Sequence, residues 1–189
     1  MRKIIICLHT TLDGFVAGPN GEMDWIKLDD EMFDLVGTFT DKADTALYGR
    51  VTYEMMDNYW PTAADKHNAT KHDIEHSNWY NGVEKIVISK TMQNKQANKT
   101  TFIGNNIPDE INKTKQRPGK NIMIFGSPSA SHTLMEHNLI DEYWLFVNPV
   151  LLGQGIPLFA KIQSRTALEL ITSKKFGCGV IGLHYRLKQ

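Results

Sequence analysis

Cysteine is scarce: the 189 residues hold only Cys7 and Cys178, and no Cys-x-x-Cys pair occurs. A zinc ribbon and a thioredoxin-type redox motif are therefore excluded. Cys7 sits in the apolar run Ile4-Ile5-Ile6-Cys7-Leu8 and Cys178 between two glycines, so they read as a buried small residue and a turn residue. Charge of one sign is not in excess either, with 21 lysines and arginines against 21 aspartates and glutamates. A general nucleic-acid binder, which carries a basic surplus or stripe, is not expected. No apolar stretch approaches the roughly 18 residues that cross a bilayer. Met1-Arg2-Lys3 and the short apolar run after it fall short of a secretory signal. The expected compartment is the cytoplasm, with neither membrane nor nucleic acid as a partner. Repeats, low-complexity tracts and linkers are also missing, which predicts one domain over residues 1–189. A chain of this length buries roughly 70% of its extended surface without a disulfide or metal staple.

What the chain does have is an alternation of strand and helix patterns. Residues 3–11 form a β-branched apolar run without a polar face, as in a central strand of a mostly parallel sheet. Over residues 29–39, Met32, Phe33, Leu35, Val36 and Phe39 keep helical spacing behind an Asp29 or Asp30 cap. Further strands are predicted at 45–48, 85–89, 100–103, 121–125 and 141–148. Helices are predicted at 51–57, 67–79 and 108–116, and after Gly126-Ser127-Pro128-Ser129 to about His137. The tail reads as a hairpin, 167–176 against 180–187, turning at Gly177-Cys178-Gly179. The sum is an α/β fold: a central mixed, mostly parallel sheet flanked by helices, with a C-terminal antiparallel hairpin.

Three strand ends run into small or cationic residues where a helix or loop begins. At Gly49-Arg50-Val51-Thr52 the glycine admits close backbone approach, the new helix offers free N–H groups, and Arg50 and Thr52 add donors for phosphate oxygens. Ser89-Lys90-Thr91 offers three donors suited to a phosphomonoester. Gly126-Ser127-Pro128-Ser129 is a helix start that can hold an anion. Each alone is equally an ordinary cap; together they suggest a diphosphate ligand with an extra phosphate.

Thr11-Leu12-Asp13-Gly14, Gly49-Arg50-Val51-Thr52-Tyr53-Glu54, Val87-Ile88-Ser89-Lys90-Thr91 and Leu139-Ile140-Asp141-Glu142 follow one another along the chain. The series ends in Pro149-Val150-Leu151-Leu152-Gly153-Gln154-Gly155-Ile156-Pro157-Leu158-Phe159. It resembles the C-terminal reductase domain of bifunctional riboflavin-biosynthesis deaminase–reductases, within the dihydrofolate-reductase-like superfamily, from Lys3 to about Leu187. The deaminase half, with its zinc-binding His-x-Glu and Pro-Cys-x-x-Cys, has no counterpart. The resemblance implies an NADPH-dependent reductase of a small heterocycle or carbonyl-type compound, on the pattern of the riboflavin-pathway pyrimidine reductase, and commonly a homodimer. By motif, it puts Gly49, Arg50 and Thr52 on the cofactor's phosphates and Ser89 and Lys90 on the ribose 2′-phosphate, favouring NADPH over NADH. It puts Gly126, Ser127, Pro128 and Ser129 on the pyrophosphate, with Val16 and Ala17 beside the nicotinamide. Two departures stand out. The family has adjacent glycines where this chain has Gly126-Ser127, and a serine at positive φ costs about 1 kcal/mol. Lys90 stands for an arginine, a point charge in place of a bidentate fork.

On the substrate side Asp13, Trp25 and Asp30 are the candidates. Dihydrofolate reductases hold the pterin with an acid five residues after a tryptophan, a spacing that Trp25 and Asp30 keep; a plain helix cap and a core residue explain the pair equally. No catalytic side chain is assigned, since hydride chemistry belongs to the cofactor. His72 and His76, four apart after His67, share a helix face that could hold a metal, but without a third ligand they read as a solvated face, and no metal is expected. Trp60, Trp79 and Tyr80 read as core or dimer contacts. Dihydrofolate reduction proper and a non-catalytic nucleotide-binding dimer of the same fold are the competing functions.

Overall fold

The computed structural model describes residues 1–160, 162 and 164–188. Its centre is β1 (Ile4–Thr11), hydrogen-bonded on one side to β6 (Asn121–Phe125) and on the other to β7 (Glu142–Asn148), both parallel to it. Alternate β1 side chains explain the missing polar face. Ile4, Ile6 and Leu8 enter one core with Ile111 and Leu134, while Ile5 and Cys7 enter a second with Met32, Tyr53 and Tyr80. Each buried aliphatic side chain of this kind contributes about 1.5–3 kcal/mol. The first core lies under α4 (Ile107–Gln116) and α5 (Pro128–Glu136), the second under α1 (Asp30–Thr40), α2 (Arg50–Tyr59) and α3 (Lys71–Gly82).

Beyond β6 the sheet continues in parallel through β3 (Ala43–Gly49), β4 (Glu84–Ile88) and β5 (Thr100–Ile103). Beyond β7 it turns antiparallel, through β10 (Ile181–Leu187) to the edge strand β9 (Leu168–Lys175). The order β5-β4-β3-β6-β1-β7-β10-β9 is the mixed, mostly parallel sheet with a terminal hairpin that the pattern predicts. The hairpin turns where the glycines lie: Gly179 takes φ +89 and donates its N–H to the Phe176 carbonyl at 3.0 Å.

Three features depart from the sequence reading. A two-stranded ribbon, β2 (Phe15–Ala17) with β8 (Ile156–Pro157), covers one end of the sheet, and strands this short leave no periodicity to detect. A 3-10 helix, Trp60–Asp65, follows α2 directly. The third is α3, expected as a surface helix: it starts at a Thr70–Asp73 capping box and buries His76, Ser77 and Tyr80. Ser77 Oγ donates to the Trp60 carbonyl at 2.7 Å, which fastens α3 to the 3-10 helix. No helix among the described residues is long and apolar enough to cross a membrane.

Candidate functional site

The strand order puts the three suspected turns side by side, because β4, β3 and β6 are consecutive parallel strands. Gly49 ends β3 and precedes α2, which begins without a side-chain cap. Gly126 and Ser127 follow β6 and precede α5, which also begins without one, with Pro128 at its start. The two turns touch. The Gly49 N–H donates to Ser127 Oγ at 2.6 Å, and a Cβ on Gly49 would lie 2.5 Å from Ser129 Oγ. Any larger residue at position 49 therefore fills the space between the helix starts, which is the physical need for glycine there.

Gly126 and Ser127 both adopt left-handed backbone, at φ +65 and φ +58. The serine's conformational cost is met by the bond its hydroxyl accepts from Gly49, made in a buried position. On the other side of β3, Ser89 is buried in a hydroxyl pair with Thr91 at 3.2 Å. Lys90 is exposed, and its ammonium has no partner among the described residues. Arg50 is also exposed, and its guanidinium pairs with Glu54 one turn on at 2.7 Å. The C-terminal ends of these neighbouring parallel strands thus present two uncapped helix N-termini, each with positive dipole character, flanked by hydroxyls and two cations.

Next to these turns opens a cleft of about 480 Å³, reached by Thr52, Gly126, Ser127, Pro128, Val16 and Ala17 of the expected cofactor set. Gly49, Arg50, Ser89, Lys90 and Ser129 lie outside its wall, at or beyond the strand ends. From there it runs inward between α1, α2 and α3, over the ends of β1, β6 and β7. Among the described residues, no aspartate, glutamate, lysine or arginine lines it.

The expected substrate residues do not reach this wall. The Asp13 carboxylate clamps a loop instead: it accepts from Thr11 Oγ1 at 2.6 Å, Leu152 N at 3.1 Å and Gly153 N at 2.8 Å. The Thr11 bond and the two backbone donors hold it below the usual carboxylate range. Trp25 is half-buried and donates its indole N–H to the Glu22 carbonyl at 3.2 Å. Asp30 is exposed as the first residue of α1, while Asp29 is the cap, accepting from Met32 N at 2.9 Å. The loop lines the cleft through the backbone of Gly21 and the apolar side chains of Met23, Ile26 and Leu28, which carry no motif.

Three histidines that the sequence reading passed over or read as solvated stand in the cleft wall: His9, His72 and His76. Burial keeps each neutral, lowering His9 to about 4, His76 to about 3, and His72 below its ordinary value. Among the described residues they belong to no cluster of three groups able to bind a metal. Asn148 fixes the His9 tautomer. Its Oδ1 is taken by the Lys27 N–H at 2.9 Å, so its amide nitrogen donates to the Phe146 carbonyl at 3.0 Å and to His9 Nδ1 at 3.2 Å. With Nδ1 accepting, the His9 proton is assigned to Nε2.

Comparison with known proteins agrees with this architecture. A model of the RibD C-terminal domain family matches residues 2–182. YyaP of Bacillus subtilis (strain 168), an uncharacterized protein, is 38% identical over 186 residues, covering 97% of this chain and 94% of its own. YwjB of the same organism, likewise uncharacterized, is 30% identical over 97% of both chains. Among solved structures, a candidate riboflavin biosynthesis protein from Shewanella sp. PV-4 superposes with a TM-score of 0.73 at 22% identity, over 100% of both chains. A pyrimidine reductase-like protein from Corynebacterium diphtheriae gives 0.69 at 16% identity, over 100% of this chain and 92% of that one. At these identities the structural likeness speaks for the fold alone.

Proposed function

Because the chain belongs to the RibD C-terminal domain family, we propose that it is a cytoplasmic NADPH-dependent reductase of a small heterocyclic or carbonyl-type substrate. The observation that carries this reading is the contact between the Gly49 and Ser127 turns, beside Ser89 and Lys90, at the mouth of an uncharged cleft. Helix starts of this kind suit a pyrophosphate, and the unpaired Lys90 ammonium suits the ribose 2′-phosphate. When bound, NADPH supplies the hydride. The chain's own part is to hold the phosphates at the strand ends, to exclude water with the apolar wall, and to present His9 Nε2–H as a neutral donor at the reacting end.

Dihydrofolate reduction proper loses its main support, since Asp30 is exposed and, among the described residues, no carboxylate lines the cleft to hold a pterin. The departure from a double glycine, which would favour a non-catalytic protein, is offset at Ser127, whose left-handed backbone is compensated by the Gly49 bond. The proposal includes a homodimer formed through the edge strand β9, whose Leu168, Leu170 and Ile171 are exposed.

Thermal unfolding with cofactor tests the reading. A ligand at 100 times its dissociation constant stabilises by about 2.7 kcal/mol, which for a domain of this size raises Tm by about 5–10 °C. NADPH is expected to give that rise, NADH a smaller one, and Lys90→Ala to erase the difference. A Tm that neither nucleotide moves would refute the cofactor assignment.

A further inference from the structure

The inner end of the cleft contains a histidine with nothing to bond to. His76 is only 5% exposed, its ring stands in the cleft wall, and neither Nδ1 nor Nε2 has a hydrogen-bond partner. Buried polar groups are almost always paired because leaving one unpaired is costly, so a site that keeps one without compensation is poised for a ligand that supplies the partner. The surroundings are aromatic: the Trp60 ring lies 4.1 Å from the His76 ring with its plane tilted by 41°, Phe125 meets it edge-on at 5.3 Å, and His72 lies at 5.4 Å. His72 is itself stacked on Phe33 at 4.1 Å, with planes 18° apart.

Resting on the reductase reading above, we propose that this inner end seats the substrate's reducible ring, and that the ring is an uncharged, planar conjugated carbonyl compound of the quinone type rather than a sugar phosphate. Two observations carry it. The wall holds no lysine or arginine among the described residues, so a phosphate moved against it would lose its hydration with no charge there to compensate. The unpaired imidazole matches a carbonyl oxygen, because a neutral ring always keeps one N–H to donate. The aromatic pairs offer faces for stacking, and Met32, Met55 and Met56 give the slot an adaptable lining. This sets the chain apart from the Thermotoga maritima deaminase/reductase of the same fold, whose named substrate, a phosphoribosylaminouracil, carries a phosphate. Reduction takes one hydride from NADPH and one proton from water, and yields the hydroquinone and NADP⁺.

The test is calorimetric titration of the full chain with 2,3-dimethyl-1,4-naphthoquinone, whose ring positions are blocked against thiol addition. A parallel titration uses the phosphoribosylaminopyrimidine. Both are run without nucleotide and with saturating NADP⁺, so that binding is read without turnover. The quinone is expected to bind at least tenfold more tightly than the sugar phosphate. His76→Phe, which keeps the ring's shape and removes both nitrogens, is expected to weaken the quinone about tenfold while the NADPH thermal shift persists. His76→Gln, which restores a donor, serves as the second variant and is expected to recover part of the loss. Tighter binding of the sugar phosphate, or no quinone binding by a protein that shows the normal NADPH shift, would overturn the proposal, as would an unchanged quinone affinity in His76→Phe. Should NADPH fail to shift Tm while the quinone still binds through His76, the cofactor reading falls and the subsite stands.

Discussion

Ser127 shows how one residue can keep a site that its neighbours built for glycine. Its backbone sits at φ +58 and ψ +64, where an L-residue is strained by about 1 kcal/mol, and its hydroxyl returns a buried bond to Gly49 N–H at 2.6 Å. Ser127→Ala keeps the strain and orphans that N–H, so a loss of about 1–3 kcal/mol is expected in urea denaturation at unchanged slope. Ser127→Gly loses the same bond but relieves the strain, and is expected to fall between wild type and alanine. A Ser127→Ala protein as stable as wild type would show that the bond contributes nothing. Of this, the sequence shows the turn and the departure from a double glycine, but not that a hydroxyl of the turn after β6 meets an amide of β3, a contact 78 positions apart. The histidines were harder still. His72 and His76 sit among polar residues, and local pattern carries no trace of Trp60 and Phe125 closing over them.

Among elements, Asp141 is a joint. Its carboxylate accepts from Ile4 N at 2.7 Å and pairs with Lys115 Nζ at 2.7 Å, tying β1, α4 and the start of β7 together. Leu139 and Ile140 beside it are core residues, so Leu139-Ile140-Asp141-Glu142 marks a structural joint and not a ligand contact. Lys115 is buried to 6% while Asp141 is 31% exposed, and that asymmetry decides the mutants. Asp141→Asn strands a buried ammonium and should cost about 3 kcal/mol. Lys115→Met leaves a carboxylate that still reaches water and Ile4, and should cost clearly less; chemical denaturation of the two variants would reveal the order. The long elements were legible because hydrophobic period and β-branching persist across them, as in β1, α1 and the β9–β10 hairpin. The β2–β8 ribbon was not, because two and three residues define no period and its pairing bridges a separation of some 140 positions.

At the scale of the whole molecule, β9 ends the sheet with an unpaired edge and exposes Leu170 to 51%. Edge strands of this kind invite a second chain. Sedimentation is expected to give a dimer, and Leu170→Lys a monomer of unchanged fold; a monomeric wild type at micromolar concentration would remove the dimer from the proposal. Global stability should also record the cleft's lack of charge. His9 and His76 titrate near 4 and 3 in the fold against 6.5 for a free histidine, so on acidification the unfolded chain takes up protons that the native state refuses. Their stabilisation is complete above about pH 6.5 and drains as pH falls, by about 1.4 kcal/mol for each at pH 5.5. Carboxylates held below their ordinary values, such as Asp13, Asp73 and Glu142, act in a lower window, since their unfolded counterparts titrate at 3.8 to 4.5. The decline between pH 6.5 and 5 therefore belongs to the histidines. Replacing His76 with phenylalanine should remove its share, at most half, with His9 and the similarly lowered His72 supplying the rest, as read from urea midpoints at pH 7 and 5.5. A variant as acid-sensitive as wild type in that interval would mean that water reaches His76, and with it that the inner wall is not dry.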